Sequence, residues 1–159
     1  MDTEIQVIVN RRGMDIKIRR AAHKDKVDWL EMRKGIWPEA SDDFLSSDWE
    51  ELLASKRDAV FLAFVDGQPA GMIEAYLREF AEACETSPVG YIEGWFVHRG
   101  FRGRDVAKLL VQSAENWARE NGCTEMASDT WLENETGIRA HVKMGYHEME
   151  RLVHFVKHL

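Results

Sequence analysis

The sequence has few cysteines and no long apolar run, and each shortage excludes a class of protein. Its two cysteines, Cys84 and Cys123, lie far apart and match no disulfide framework or metal motif. No apolar stretch approaches the roughly 20 residues that a membrane-spanning helix needs, and the N-terminus does not resemble a signal peptide. We therefore expect a soluble, cytoplasmic, reduced protein without a metal site or a membrane partner.

The sequence also has fewer basic residues than acidic ones. The chain has 21 lysines and arginines against 28 aspartates and glutamates, a formal net charge of −7. A net acidic protein repels nucleic acid and anionic membranes and concentrates cations around itself, so we expect no nucleic-acid partner. Many proteins carry such charge only for solubility, so the charge alone does not identify a cationic substrate.

Repeats, low-complexity tracts and linker-like stretches are absent. With 159 residues, 45% of them hydrophobic, the chain fits one domain with a buried core. Asn10-Arg11-Arg12-Gly13 precedes a second methionine, Met14. We therefore expect a single domain over residues 14–159 and an N-terminal extension over residues 1–13, which is either frayed or an extra edge strand.

Hydrophobic periodicity predicts the secondary structure. Strands are expected at residues 16–19, 59–65, 70–80, 91–97 and 124–131, with one or two more within 146–157. Helices are expected at residues 27–36, 41–56, 106–121 and 135–144. Asp66-Gly67 is typical of the tight turn of a hairpin. This order predicts an α/β domain around a mixed sheet.

A basic turn follows the strand predicted at residues 91–97. Arg99, Arg102 and Arg104 place three positive charges there, just ahead of a helix. A helix N-terminus offers unpaired N–H groups and the positive end of the macrodipole, and Gly103 lets the backbone approach a phosphate closely. The turn suits an anionic, phosphate-bearing ligand, although a solvated turn with incidental arginines is an equally simple explanation.

Two motifs resemble those of GCN5-related N-acetyltransferases. Residues 102–107, Arg-Gly-Arg-Asp-Val-Ala, resemble that family's acetyl-coenzyme A loop, Arg/Gln-x-x-Gly-x-Gly/Ala. Asn134 with Ala140 and Lys143-Met144-Gly145-Tyr146 resembles its second motif. The resemblance spans about residues 14–159 and implies a mostly antiparallel sheet flanked by helices. It implies acetyl-coenzyme A binding by Phe96, Val97, Arg102, Gly103, Arg104, Asp105, Val106, Ala107 and Asn134, with the amides near Phe96 and Val97 meeting the oxyanion.

The loop departs from the family pattern at Asp105, which replaces the first loop glycine. Aspartate adopts left-handed backbone more readily than most residues, so we expect the loop geometry to persist. Its carboxylate would repel a pyrophosphate unless it turns outward or pairs with an arginine. We predict that binding of acetyl-coenzyme A is weakened and not abolished.

Three further strings resemble aminoglycoside 6'-N-acetyltransferases. They are Ile36-Trp37-Pro38 and the segments at residues 86–94 and 123–130. This resemblance implies a polycationic aminoglycoside as acceptor, acetylated at its 6'-amine, and a homodimer. Another polyamine, an amino sugar or a protein amine is an alternative acceptor. A silent module that binds acyl-coenzyme A or an aminoglycoside is the alternative to an enzyme.

Carboxylates are the candidates for deprotonating the amine, because an ammonium group has no lone pair to attack a thioester. Glu93, inside an apolar strand, is the first candidate base, unless an arginine pairs with it structurally. Asp129 is the second, unless it caps a turn. Glu150 resembles a third acid of the acceptor pocket, or lies on an exposed strand face.

Three ring-bearing side chains complete the predicted site. Trp37 and Phe80 are candidate walls against sugar rings, although an aromatic residue at a helix end is often part of the core. His141 could protonate the departing thiolate or hydrogen-bond to it, or pack as a structural histidine. No serine or cysteine lies in a nucleophile pattern, so we expect direct transfer without a covalent acetyl-enzyme, a metal or a flavin.

Overall fold

The computed structural model describes residues 6–9 and 13–159. Within these residues six strands and five α-helices follow one another along the chain. They are β1 (Gln6–Val9), β2 (Asp15–Arg20), α1 (Lys26–Ile36), α2 (Asp42–Ser46), α3 (Trp49–Ala54), β3 (Asp58–Val65), β4 (Gln68–Arg78), β5 (Val89–Val97), α4 (Val106–Glu120), β6 (Met126–Ser128) and α5 (Glu135–Lys143).

The strands form one sheet in the order β1-β2-β3-β4-β5-β6. Neighbours from β1 to β5 are antiparallel, and β6 pairs with β5 in parallel. The predicted α/β fold with a mixed, mostly antiparallel sheet is confirmed. Residues 6–9 of the predicted extension form an edge strand, while residues 1–5 and 10–12 lie outside the described residues.

The hairpin between β3 and β4 shows why the local sequence folds as it does. Asp66 and Gly67 both have positive φ angles, 48° and 80°, as the two central residues of a type I′ turn require. The Asp66 carboxylate also accepts a hydrogen bond from the Asp15 backbone N–H at 3.0 Å. This contact ties the turn to β2.

Helices cover both faces of the sheet and bury two apolar cores. On one face α4 buries Leu109, Leu110 and Ala114 against the strands. On the other face Trp29 and Met32 of α1 and Trp49 of α3 pack on β3 and β4. A Cβ atom at Gly35 would overlap the ring of Phe96, so α1 lies unusually close to β5.

Residues 41–56, predicted as one helix, form two short ones, α2 and α3. The Ser41 hydroxyl caps α2 by accepting a hydrogen bond from the Phe44 N–H. Asp48 lies at the break and pairs with Arg33 of α1 at 2.7 Å. Because this ion pair holds the chain at Asp48, the apolar stripe bends around α1 and does not continue as a single helix.

One strand prediction is too long and another is wrong. The strand expected at residues 124–131 is only Met126–Ser128, because Asp129 then turns its side chain to Tyr91 and Thr130 to Asn134. The strands expected within residues 146–157 are absent, since this segment forms no backbone ladder with any of the six described strands. Among the described residues, no helix is long and apolar enough to cross a membrane.

Candidate active site

A β-bulge places Glu93. Along β4 and β5 the pairs are Glu74 with Gly94 and then Ala75 with Ile92, so Glu93 is an extra residue without a partner across the ladder. A bulge bends its strand and redirects the side chain. Glu93 thereby leaves the regular pattern and lines a cavity on the α1 and α3 face of the sheet.

The cavity has a volume of about 300 Å³ and carries strong negative charge. Its charged and aromatic lining consists of Asp48, Asp58, Glu74, Glu93, Arg33 and Trp37, with Tyr76 beside them. Four carboxylates against one arginine leave the lining with a negative surplus. Such a concave, acidic site favours a cationic ligand.

A buried ion network forms one wall of this cavity. Glu74 is 4% exposed and accepts hydrogen bonds from Trp29 Nε1 at 2.6 Å and from Arg33 Nε at 2.8 Å. Arg33 also donates to Asp48. Burial alone would lower the pKa of Arg33, but Glu74 and Asp48 outweigh it and raise that pKa above its ordinary value. The network holds Asp48 and Glu74 in place.

Sequence reasoning missed Asp48, Asp58 and Glu74. Glu74 carries the same signal that drew attention to Glu93, a carboxylate inside an apolar strand. Asp48 and Asp58 carry no comparable signal, because each resembles an ordinary acid beside a helix or strand end. Only the folded chain brings them to one cavity.

Glu93 is held by an arginine. Arg78 Nη2 and Nε donate to the same carboxylate oxygen, Glu93 Oε1, at 2.8 and 3.2 Å. Burial would lower the pKa of Arg78, and the hydrogen bond and charge of Glu93 raise it above its ordinary value. Glu93 is thus both paired with an arginine and exposed to the cavity, so the pairing anticipated as an alternative coexists with its candidate role.

Asp129 joins the same group of side chains through Tyr91. The Tyr91 hydroxyl donates to Asp129 Oδ2 at 2.7 Å, and the Arg78 guanidinium lies 3.5 Å from the centre of the Tyr91 ring. Burial first, and then the Asp129 carboxylate, raise the pKa of Tyr91 well above its ordinary value. Tyr91 therefore keeps its proton and remains a donor. Asp129 does not line the cavity itself.

The basic turn after β5 is exposed and ordered by Arg102. Arg102 Nε donates to the Val97 carbonyl oxygen at 3.1 Å, which ties the turn to the end of β5. Gly103 and Asp105 have φ angles of 72° and 67°. The predicted left-handed backbone of Asp105 is confirmed. Its side chain is exposed and makes no hydrogen bond or ion pair within the described residues.

The remaining predicted cofactor residues frame an open strand edge. Pairing of β5 with β6 ends at Ile92 and Ser128. Phe96 and Val97 follow this point, so no described strand pairs with β5 on that side, where the Val97 carbonyl oxygen meets Arg102. Arg104 lies over the ring of Phe101. Val106 is buried and Ala107 half-buried in the first turn of α4.

Asn134 and His141 lie around α5. The Asn134 side chain caps α5 by accepting a hydrogen bond from the Gly137 N–H at 3.0 Å. His141 Nδ1 lies 2.7 Å from the Gly137 carbonyl oxygen. A carbonyl only accepts, so Nδ1 carries the proton, and in the neutral ring Nε2 accepts from Ser128 Oγ at 2.8 Å. His141 is a packed, hydrogen-bonded helix histidine, and its role as an acid stays a prediction.

The other three predicted acceptor contacts, Trp37, Phe80 and Glu150, lie in different parts of the structure. Trp37 lines the cavity and packs against Gly94, whose added Cβ atom would lie 3.1 Å from the Trp37 ring. Phe80 is 69% exposed beyond the end of β4. Glu150 is exposed in residues 147–159, which form no strand. Neither Phe80 nor Glu150 lines the cavity.

Metal ligation is not indicated by side-chain geometry. Across residues 6–9 and 13–159 no group of three or more histidine, cysteine, aspartate or glutamate residues is placed to hold a metal ion. The carboxylates of the cavity are instead engaged by Arg33, Arg78, the Trp29 ring N–H and, at Asp58, the Ser55 hydroxyl. The arrangement suits binding of organic cations.

Comparisons with known proteins give consistent matches. The sequence model of the Acetyltransferase (GNAT) family matches residues 27–146. The chain is 39% identical over 145 residues to an aminoglycoside N(6')-acetyltransferase type 1 of Salmonella typhimurium strain LT2, covering 91% of this chain and 99% of that protein. A protein of the same name from Stenotrophomonas maltophilia is 38% identical over 140 residues, covering 87% and 90%.

Solved structures agree with these sequence matches. AAC(6')-Iy in complex with the bisubstrate analogue CoA-S-monomethyl-acetylneamine superposes with a TM-score of 0.86 at 36% identity, covering 91% of this chain and 99% of that one. Apo AAC(6')-IG from Acinetobacter haemolyticus gives a TM-score of 0.85 at 37% identity, covering 89% and 98%. The similarity therefore extends over nearly the whole fold.

Proposed function

The chain belongs to the GNAT family of acetyltransferases, and from this premise we propose that it transfers an acetyl group from acetyl-coenzyme A to the 6'-amine of aminoglycoside antibiotics. The observation that carries the proposal is the acidic cavity beside the bulged residue Glu93. An aminoglycoside carries several ammonium groups, and the cavity offers several carboxylates within one small volume. This reaction inactivates such antibiotics, so the biological role we propose is resistance.

The basic turn fits acetyl-coenzyme A. Its phosphates require amide donors and positive charge, which the N-terminus of α4, Arg102 and Arg104 supply. The positive φ angles of Gly103 and Asp105 curve the backbone around this point. The open edge of β5 at Phe96 and Val97 leaves backbone groups for the thioester carbonyl and for the oxyanion that forms from it.

The carboxylates activate the acceptor amine by removing a proton from its ammonium form. Glu93 holds the acceptor ammonium and accepts its proton, directly or through water, and Asp129 is the second candidate for this step. The free amine then attacks the thioester carbonyl, the carbon–sulfur bond breaks, and the attacking nitrogen gives up its second proton to solvent as the amide forms. The departing thiolate takes a proton from solvent, or from His141 in its doubly protonated form. The rate gain from such a base is typically about 10²–10⁴-fold.

We also propose a homodimer. Residues 147–159 expose apolar side chains, among them Val153, Phe155 and Val156, and Phe155 is 89% exposed. An exposed apolar patch of this kind is typical of an interaction surface, and a second copy would cover it. Glu150 and Phe80 would then reach an acceptor site only through this association. Light scattering on the purified protein tests the dimer.

The cytoplasmic location stays a prediction.

A thiol-release assay tests the proposed activity. Kanamycin-type acceptors should release coenzyme A, and matched aminoglycosides with a hydroxyl at the 6' position should not. Equal turnover of both would point to another amine, and a wider panel of polyamines, amino sugars and peptides would identify it. Aminoglycoside binding without coenzyme A release would instead support the silent binding module, for which the exposed carboxylate of Asp105 in the phosphate turn is the specific argument.

A further inference from the structure

Arg78 occupies an unusual position between the two candidate carboxylates. It is the last residue of β4, and its guanidinium carbon lies over the ring of Tyr91 on the neighbouring strand, 3.5 Å from the ring centre. From there it donates twice to one oxygen of Glu93, while Tyr91 donates to one oxygen of Asp129. One stacked pair of side chains thus contacts both acids.

We propose that Arg78 and Tyr91 form a platform that positions Glu93 and Asp129 as a unit, each held by one oxygen so that the other oxygen receives the acceptor amine. Both Arg78 donors converge on Oε1 of Glu93, and Tyr91 contacts Oδ2 of Asp129. The second oxygen of each carboxylate has no partner within the described residues. This inference rests on the proposed function and names two positioning residues for it.

The platform is anchored in the protein interior. Tyr91 is 4% exposed and packs with Ala81 and Val89 in a small apolar cluster. A buried ring cannot turn freely, so it fixes the plane on which the guanidinium rests, and a planar, delocalised arginine head suits such stacking. Locked supporting side chains keep catalytic groups within the narrow limits that catalysis needs.

The bulge at Glu93 makes this support necessary. Glu93 has no cross-strand partner, so no ladder pair restrains its backbone as it would a regular strand residue. Asp129 likewise lies beyond the end of β6. Two carboxylates on irregular backbone therefore take their orientation from Arg78 and Tyr91, which are both on regular strands.

Tyr91→Phe tests the platform with minimal disturbance. It keeps the ring under Arg78 and removes only the hydroxyl that contacts Asp129. We expect kcat/KM for the aminoglycoside to fall by about 10-fold or more, as for a lost hydrogen bond to a charged group, while the KM for acetyl-coenzyme A is unchanged. An unchanged kcat/KM for the aminoglycoside would overturn the role of Tyr91.

Arg78 is tested by three measurements. Arg78→Ala should lower kcat/KM for the aminoglycoside by up to about 100-fold, as misplacement of a catalytic group does, and low guanidinium concentrations should restore part of it. Arg78→Lys should be little more active than Arg78→Ala, because an ammonium group neither donates from two fixed nitrogens nor stacks on a ring as a guanidinium does. If Arg78→Ala is as active as the wild type, or more active, Arg78 does not position Glu93 and merely competes with the acceptor.

A double-mutant cycle shows whether the two residues act as one unit. The double variant should lose less kcat/KM for the aminoglycoside than the product of the fold-losses in Arg78→Lys and Tyr91→Phe, because residues of one network are coupled. Fully multiplicative losses would overturn the single platform. Arg119→Ala, which removes an exposed ion pair with Glu115 on α4, is the matched control and should keep wild-type kinetics.

Failure of this inference is separable from failure of the proposed function. Absence of turnover by the wild-type enzyme in the same assay would remove the proposed function itself. Normal wild-type turnover with unaffected Tyr91→Phe and Arg78→Lys variants would remove only the platform. Thermal unfolding of each variant accompanies the kinetics, and Tyr91→Phe decides the matter if Arg78→Ala does not fold.

Discussion

At the scale of single residues, Asp105 combines a tolerable backbone with an unfavourable charge. Its φ angle of 67° lies in the left-handed region, which aspartate and asparagine adopt with less strain than most residues. Its carboxylate is exposed at the helix end where the phosphates of acetyl-coenzyme A are proposed to bind. The two effects can be separated by substitution.

Asp105→Gly and Asp105→Asn should both lower the KM for acetyl-coenzyme A, by about fivefold if one charge near 4 Å in a watery site is removed. Asparagine keeps the side-chain shape and its left-handed tolerance, so an equal effect in both variants assigns the change to charge. A fall in KM only in the glycine variant would assign it to the backbone. Steady-state kinetics with varied acetyl-coenzyme A measures this.

Glu93 and Asp129 should affect the amine side of the reaction selectively. Glu93→Gln and Asp129→Asn keep the shape of each side chain and remove its basicity. We expect kcat/KM for the aminoglycoside to fall by about 10²-fold or more for the true base, with little change in the KM for acetyl-coenzyme A. A large rise in that KM as well would indicate misfolding instead, and the more damaging substitution identifies the base.

At the scale of elements, hydrogen bonds to Glu125 hold the loop between β4 and β5 in place. This carboxylate accepts hydrogen bonds from the Thr86 hydroxyl and from the backbone N–H groups of Glu85 and Thr86. The Thr86 side chain and these amides lower the pKa of Glu125 below its ordinary value of 4.5. The acidic loop is thereby fastened beside the start of β6.

The stability that Glu125 gives to this loop should fall only when the pH is lowered. Because the folded pKa of Glu125 is depressed, its contribution is fully present above about pH 4.5 and is lost as the pH falls through the lower folded value. Amide hydrogen exchange at Glu85 and Thr86 should show protection, corrected for intrinsic rates, that declines in that range. Glu125→Gln cannot titrate, so its protection should not vary with pH. A decline in this variant too would refute the assignment.

Local elements were predictable where their signals are local. Asp66-Gly67 predicted the hairpin, alternation of apolar and charged residues predicted β2, and largely apolar runs predicted β3 and β5. The division of residues 41–56 was not predictable, because it depends on Asp48 meeting Arg33, which lies 15 positions earlier on another helix. Residues 146–157 contain several apolar residues, as strands do, but a strand forms only where two backbones pair, and within the described residues this segment pairs with no strand.

At the scale of the whole molecule, the cavity and the stability of the fold share one network. Glu74 links Trp29 and Arg33 of α1 to the centre of the sheet. The candidate site was predicted in part, through Trp37 and Glu93. Asp48, Asp58 and Glu74 were missed, because three separate segments converge only in the folded chain.

Glu74→Ala should destabilise the whole domain. Removing one partner of a buried ion pair typically costs about 3–5 kcal/mol in the free energy of unfolding. We expect the lower end of that range, because Asp48 still balances part of the charge of Arg33 while Trp29 Nε1 loses its acceptor. Urea unfolding measures this, with Glu148→Ala as control because Glu148 pairs with Arg151 at the surface. The control should unfold near the wild-type midpoint. A similar midpoint for Glu74→Ala would mean that the network contributes little to stability.

The extra residue in β5 has a consequence for how this enzyme can change. Deleting position 93 would restore continuous pairing between β4 and β5, and the same deletion would eliminate the proposed proton acceptor. With Glu93 as the proposed base, a continuous ladder and full turnover exclude each other at this one position. Variants selected only for thermal resistance would gain from losing this irregularity, and they would lose the proposed amine activation.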